Sequence, residues 1–572
     1  MPSEAWKYFT KLTFETAICK ECSASIKSCG NTTNLMAHLR SKHPMVIKVN
    51  EDIPSKQPKI NDCISEINSI KSGAKAKIIE DALVWYISNN FQAFNIVEDL
   101  EFRRLFKVII PSFSMPSRKK ISGATFKMYQ NKKELVTTHL KTINYISITT
   151  DLWTDGYNSK SYIGVTGHFI DNYRCTSLCL AVKDMEVAHT TNNIVTNILE
   201  ILCDFEIPTD KLTTIVTDGA ANVTSATKQI VNDPIWCVAH RLNLIVNNTI
   251  SECNDASALI CQVRNIVKLF KQSNNFSDIL RKIQSSDGQT PLKLKQDVCT
   301  RWNSTYIMLE RFNALRNFVS IALIKVNRAD LDIPFGNIEV LCDVQKLLEP
   351  FFAVTKDLSG EQYCTVSRVI PVLNMLKHRV LNLNVQSSVG KAFQGILCMN
   401  LNERFGSIEQ DKNFAYATIL DRRFKQVDFA SPACCAKAID EINKMLRHVP
   451  LTQTTVVPVE CDSLWELHEK RVQQLSNDSD GSGLNIGLKH YLKMVNLPRD
   501  ADPLEFWRKN KENWHELHNL AIKYLTTPAT SVPCERLFSC AGNTITDKRN
   551  SLKPKNVNAL CFLHSLPEAF RH

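Results

Sequence analysis

No apolar run in this chain approaches the roughly 18 residues that a membrane-spanning helix needs, and no internal repeat marks a solenoid or propeller. Met1–Thr10 lacks the charged-then-apolar layout of a secretion signal. The 20 cysteines are scattered, without the dense spacing of a small secreted scaffold. Most are therefore expected to be packed thiols in a reducing intracellular compartment, with no membrane partner. Acidic residues are scarce in two places. Residues 1–50 hold seven Lys/Arg against three Glu, and residues 100–133 hold nine Lys/Arg against Glu101 alone. Such local excess suits phosphate contact, where each neutralised phosphate releases counterions; a solvated basic surface is the plainer alternative. The net charge of +11 likewise favours an acidic partner such as nucleic acid.

What is present is ample apolar material: 44% of 572 residues is hydrophobic, and the length predicts about three or four domains. Residues 1–50 form a Cys/His-bearing unit, and the polar, Pro- and Lys-bearing stretch 51–74 reads as a linker. A helical, basic region follows over 75–142, with Ile79, Leu83, Tyr86 and Ile87 at helical spacing; it is assigned to DNA binding or dimerisation. Over 143–250 the texture changes. Tyr145–Asp151 alternates, Ser161–Ile170 and Cys175–Val182 are strand-like around the turn Asp171-Asn172-Tyr173, and Thr191–Phe205 is helical. Leu212–Thr217 and Ile235–Val238 are further strands. This β-β-β-α-β order matches a ribonuclease H-like α/β core. From 251 to 500 the pattern is mainly helical, broken by Pro350, Pro371 and the turn-rich Asn477–Gly483, and reads as a large all-α insertion in that core. Residues 501–572 complete the core. The predicted class is multidomain, α/β plus α.

Cys19-x2-Cys22, fifteen residues and His38-x4-His43 supply two thiolates and two imidazoles, the set tetrahedral zinc accepts. Trp6, Tyr8, Phe9, Phe14 and Leu35 would fill a core too slight to fold without the metal. The bland alternative is two packed thiols and two surface histidines. With Trp6-Lys7-Tyr8-Phe9 in front and Asn31-Thr32-Thr33-Asn34-Leu35 leading into the helix, the unit resembles a BED-type zinc finger. That resemblance implies a helix in the major groove of double-stranded DNA. Thr32, Thr33 and Asn34 would then meet base edges, and Lys27, Arg40 and Lys42 phosphates.

Asp151 closes the first strand of the core and Asp218 the fourth, and in a ribonuclease H-like sheet those strands are parallel neighbours. A third acid from a late helix is Glu535, in Thr530-Ser531-Val532-Pro533-Cys534-Glu535-Arg536-Leu537-Phe538-Ser539. Pro533 suits a first helical turn and Gly542 a helix end. Three clustered carboxylates suit Mg²⁺ or Mn²⁺, hard cations that take oxygen ligands. The alternatives are an Asp that caps a turn and a Glu that serves a helix dipole.

Asp151-Leu152-Trp153-Thr154, Thr217-Asp218-Gly219-Ala220-Ala221-Asn222, Cys237-Val238-Ala239-His240-Arg241-Leu242-Asn243-Leu244, Thr300-Arg301-Trp302-Asn303-Ser304 and the Glu535 segment follow one another as they do in the hAT transposase superfamily, which the chain resembles from about residue 80 to 565. The resemblance implies that Asp151, Asp218 and Glu535 are the metal-binding triad. It places Arg301 and Trp302 beside the DNA, where a Trp face stacks on a flipped base; a half-buried packing pair is the alternative. Cys237 and His240 also match, as active-site support or as packing. Residues 486–566 resemble the hAT C-terminal dimerisation region, which implies a homodimer or higher homo-oligomer; Leu537, Phe538, Val557, Leu560, Phe562 and Leu563 build either that contact or the interior. Arg422 stands where the family usually shows proline, and Ala221 where it shows a small polar residue. Two functions follow as expectations: a cut-and-paste DNA transposase, or a domesticated, non-catalytic BED-finger regulator of transcription or chromatin in the nucleus. The intact triad leaves catalysis open.

Overall fold

The computed structural model describes residues 4–29, 31–43, 46, 68–70, 73–155, 160–298, 301–447, 484–544 and 552–571. Most of the expected linker 51–74 and the turn 477–483 lie outside these residues. Two compact units emerge, Met1–Ala76 and Lys77–His572.

In the first unit, β1 (Phe9–Lys11), β2 (Thr16–Cys19) and β3 (Ser25–Lys27) form an antiparallel meander, followed by α1 (Thr33–Lys42). Ala5, Phe9, Ala17, Cys19, Leu35 and Leu39 are buried, with Trp6 and Tyr8 packed alongside. Phe14 departs from expectation. It sits in the β1–β2 turn, 73% exposed, with the Lys11 ammonium 5.5 Å from its ring. A residue at a tight turn points away from so small a sheet.

The second unit is built on β4 (Ile146–Thr154), β5 (Ser161–Asp171), β6 (Arg174–Met185), β7 (Leu212–Thr217) and β8 (Ile235–Trp236), in the order β6-β5-β4-β7-β8. β4 runs parallel to β7, and β7 to β8, while β5 and β6 are antiparallel neighbours of β4 and of each other. This is the ribonuclease H-like arrangement that the order of elements predicts. Asn172 and Tyr173 take φ of 47° and 60° at the β5–β6 turn, the twist a two-residue hairpin needs.

Two features keep both faces and one edge of the sheet dry. Ile146 and Ile148 of β4 face one core, but Ser147, Thr149 and Thr150 are buried as well. The Ser147 hydroxyl meets Thr527 Oγ1 at 2.9 Å, so this polar face is satisfied by protein rather than water. The edge strand β6 is covered by a late helix. Val182 N–H donates to Asn558 Oδ1 (2.9 Å) and Cys179 N–H to Ser565 Oγ (2.8 Å), so edge donors find side-chain acceptors.

The second unit also carries α2 (Arg118–Thr142), α3 (Thr191–Asp204), α4 (Ala221–Ile230), α5 (Val238–Glu252), α6 (Trp302–Lys325), α7 (Phe335–Leu358), α8 (Val532–Thr544) and α9 (Pro554–Ser565). Ser117 and Thr190 cap α2 and α3 by accepting from Lys120 and Asn193 N–H. Helices α5, α6 and α7, with Asn254–Gln272, Ser388–Phe405 and others between them, make a largely helical region with its own core. Pro350 does not break it: the buried proline lies inside α7, which continues to Leu358. Its ring gains core contacts that offset the lost backbone bond. Pro371 is the third residue of the helix Val369–Asn382, where an N–H has no helical partner to lose. Leu537, Phe538, Val557, Leu560, Phe562 and Leu563 are all buried in the core beneath the sheet. They belong to the interior of one chain.

Candidate metal centres

In the first unit, Cys19 closes β2, Cys22 follows in the turn, His38 lies on α1 and His43 is the residue that ends it. One ligand atom from each comes within 4.8 Å of all the others. Cys22 Sγ stands 3.2 Å from His38 Nε2. The buried His43 Nε2 has no hydrogen-bond partner, an orphan nitrogen that a metal would satisfy. Zinc bonds of about 2.0–2.3 Å put neighbouring tetrahedral ligands roughly 3–4 Å apart, so the donor set fits Zn²⁺. Lys27, Thr33, Asn34, Arg40 and Lys42 are exposed and Thr32 is half-buried. Asn34 already donates to the Lys27 carbonyl (3.1 Å), which ties the start of α1 to β3.

In the second unit the sheet register aligns two aspartates. Thr149 of β4 pairs with Val216 of β7; Asp151 and Asp218 each lie two residues further along these parallel strands, so both reach the same edge. Asp151 sits opposite Gly164 of β5. A Cβ on Gly164 would stand 2.6 Å from Phe538 and 2.7 Å from Cys534 Sγ. Helix α8, which carries Glu535, therefore rests directly on the backbone opposite Asp151. Trp153 stacks on Phe538 at 5.8 Å and on Tyr162 at 5.6 Å, holding the helix in place.

The Asp218 turn is equally constrained. Gly219 has φ +90°, and a Cβ there would stand 2.1 Å from Trp236 Nε1. That indole nitrogen donates to the Asp218 carbonyl at 2.6 Å, and Asp218 Oδ1 accepts from Ala220 N–H at 3.0 Å. All three acids are half-buried. Burial first, then the Asp218 charge, with Glu535 adding to both, pushes the Asp151 carboxyl up to about 7 against one opposing hydrogen bond from Leu152 N–H. The three carboxylates thus feel one another. Among the described residues, however, only the finger ligands close to within 4.8 Å as a group of three or more. An oxygen-only donor set of this kind fits Mg²⁺ or Mn²⁺.

A pH dependence follows. The folded value of Asp151 lies above the unfolded value near 4, so its ionisation in the fold costs stability. That cost is absent below about pH 4, grows as pH rises to about 7, and is level above. Thermal unfolding of the metal-free chain should therefore show wild type losing ground to Asp151→Asn between pH 5 and pH 8. Added Mn²⁺ should restore wild type alone at pH 8. Parallel pH profiles for the two proteins would refute this origin.

Cys237 is buried and caps α5: its Sγ accepts from His240 N–H (3.4 Å) and from Ser531 N–H (3.2 Å). Its own N–H donates to Thr217 O at 2.7 Å. One residue thereby links the strand leading to Asp218 with the turn leading to Glu535. His240 is half-buried on the first turn of α5. Arg301 is exposed at the start of α6. Trp302 corrects an expectation. It is 2% exposed and meets Phe351 edge-to-face at 6.2 Å, while its backbone N–H donates to Asn243 Oδ1. A ring enclosed in the helical core offers no face to a nucleobase, so in this structure it is a packing residue.

Gly164 and Trp236 escape sequence reasoning, although a lone glycine in a strand pattern such as Tyr162-Ile163-Gly164-Val165 signals close backbone approach.

Four family descriptions match the chain. The BED zinc finger matches residues 3–44, the ZBED1 RNase-like domain 149–235, the ZBED1 RNase-like helical domain 235–332 and the hAT family C-terminal dimerisation region 487–566. Zinc finger BED domain-containing protein 4 of Homo sapiens is 24% identical over 98% of this chain and 51% of its own length. Zinc finger BED domain-containing protein RICESLEEPER 2 of Oryza sativa subsp. japonica is 24% identical over 83% of this chain and 73% of its own. The Transposable element Hobo transposase of Drosophila melanogaster is 24% identical over 64% of this chain and 54% of its own. The chain spans about half the length of the human and fly relatives.

Proposed function

Because the chain belongs with the BED-finger and hAT transposase-related proteins, we propose that it is a zinc-dependent DNA-binding protein of the cut-and-paste transposase type, acting on double-stranded DNA in the nucleus. The observation that carries this reading is the alignment of Asp151 and Asp218 on parallel strands with the Glu535 helix seated opposite Asp151. Asp151, Asp218 and Glu535 would hold a divalent cation, which would supply charge neutralisation for phosphodiester cleavage and strand transfer. The protein's own work is to hold the three acids. The β4–β7 register sets the aspartates, Cys237 links the two acid-bearing segments, and Trp153 and Gly164 seat α8. The finger supplies recognition, with Thr32, Thr33 and Asn34 at base edges and Lys27, Arg40, Lys42 and, in the second unit, Arg301 at phosphates. Residues 487–566 support a homodimer, through surfaces other than the buried apolar residues of α8 and α9.

A second reading, a DNA-binding regulator that does not cut, is favoured by one observation: Trp302 is enclosed, so the expected base-stacking face is missing. Cleavage of duplexes carrying the sequences that flank the gene, in Mn²⁺, separates the two. Wild type should cut. Asp218→Asn and Glu535→Gln should fall by about 1,000-fold, since ~4 kcal/mol of lost charge stabilisation is three factors of ten. Undiminished cutting by these variants ends the triad assignment, and specific binding without cutting by wild type selects the regulator.

A further inference from the structure

Two thiols from distant parts of the second unit meet beside the turn that leads into α8. Cys175 lies near the start of β6, paired with Ile170 of β5. Cys364 lies in the segment 359–365 that follows α7. Their sulfurs are 3.7 Å apart, in direct contact. The segment is anchored on both sides of the Glu535 turn. Thr365 Oγ1 accepts from Ala529 N–H at 2.9 Å, and the Arg536 guanidinium pairs with Glu361 and donates to Ser359 O at 2.9 Å. Cys175, Cys364, His168, Thr527 and Pro533 help wall a cavity of about 20 Å³, room for roughly one water-sized molecule.

We propose that Cys175 and Cys364 are an oxidation site, at which a small peroxide converts the thiol pair into a disulfide that ties segment 359–365 to β6. Cys175 is half-buried and Cys364 buried. A hydrogen bond with Cys175 and burial hold the Cys364 thiol well above its usual range, so Cys175 meets the oxidant first. Its sulfur attacks one peroxide oxygen, the O–O bond breaks, a sulfenic acid forms and one water leaves. The Cys364 sulfur then displaces the sulfenic hydroxyl as a second water, closing the S–S bond. Two thiols give up two electrons and two protons, and one hydrogen peroxide becomes two waters. Resting on the nuclease reading, the tie also fixes the segment that grips the Glu535 helix, so cleavage becomes sensitive to oxidant.

The test treats the zinc-loaded full chain with hydrogen peroxide and maps its peptides without reduction. A Cys175–Cys364 linked pair is expected, released by dithiothreitol. Peptide maps in which Cys175 is free or over-oxidised, with no linked pair, overturn the proposal. In the cleavage assay, peroxide should lower wild-type cutting at least about tenfold, reversibly, and leave Cys175→Ala and Cys364→Ala unaffected; equal inhibition of these variants overturns the coupling to Glu535. Untreated wild type that never cuts counts against the nuclease reading alone, since the peptide map needs no activity.

Discussion

Cys22→Ser is expected to strip the first unit of stoichiometric zinc and to abolish its sequence-specific binding to double-stranded DNA, while the second unit keeps its fold. Among the described residues of the finger, the buried apolar cluster is Ala5, Phe9, Ala17, Cys19, Leu35 and Leu39, far too little apolar surface to offset the ordering of about 40 residues. Zinc binding supplies on the order of 10 kcal/mol to such folds, and its four donors come from β2, the turn after it, α1 and the residue ending α1. Losing one thiolate therefore unlocks the helix that presents Thr33 and Asn34. The second unit has its own cores and none of these ligands. Elemental analysis and binding at fixed salt read the two effects. A Cys22→Ser protein that retains one zinc per chain and binds its site would end the assignment.

Where local pattern dictates structure, the sequence was legible. Leu212–Thr217 is the strand its β-branched run predicts, α3 ends within a residue of expectation, and the finger ligands announce themselves by type and spacing. What could not be read depends on partners far away in the chain. Trp302 is enclosed because Phe351 waits on α7, and nothing in Arg301-Trp302-Asn303 states that. Leu560 and Phe562 are apolar for reasons an interior and an interface share, so only their placement against the sheet decides. The same holds for the site. Asp151 and Asp218 lie at the same end of neighbouring parallel strands through a register that periodicity implies, whereas the placing of the Glu535 helix depends on a missing side chain at Gly164.

Gly164→Ala is the sharpest probe of that seat, and it should damage stability and cleavage together. The glycine lies in ordinary strand backbone, so the conflict is one of space alone. A methyl group there would press on Phe538 Cζ at 2.6 Å, Cys534 Sγ at 2.7 Å and Phe538 Cε1 at 2.9 Å. Both neighbours are buried and Phe538 is stacked on Trp153, so relief comes from α8 lifting off β5. Overpacking of this kind costs about 1–3 kcal/mol. The displacement falls on Cys534, the residue before Glu535, and opens the gap to Asp151 across the register. A shift of about 1 Å in a reacting group costs on the order of 100-fold in rate, so cleavage should drop by at least that much while zinc content and finger binding stay at wild-type levels. Gly123→Ala is the control: it lies on α2 with nothing within 4 Å of a Cβ, and alanine should stabilise that helix by about 0.5–1 kcal/mol. Pairing Gly164→Ala with Phe538→Leu and Cys534→Ala should recover part of the cleavage by returning space. If Gly164→Ala alone cuts DNA and unfolds like wild type, α8 does not rest on β5, and Glu535 has lost its place beside the two aspartates.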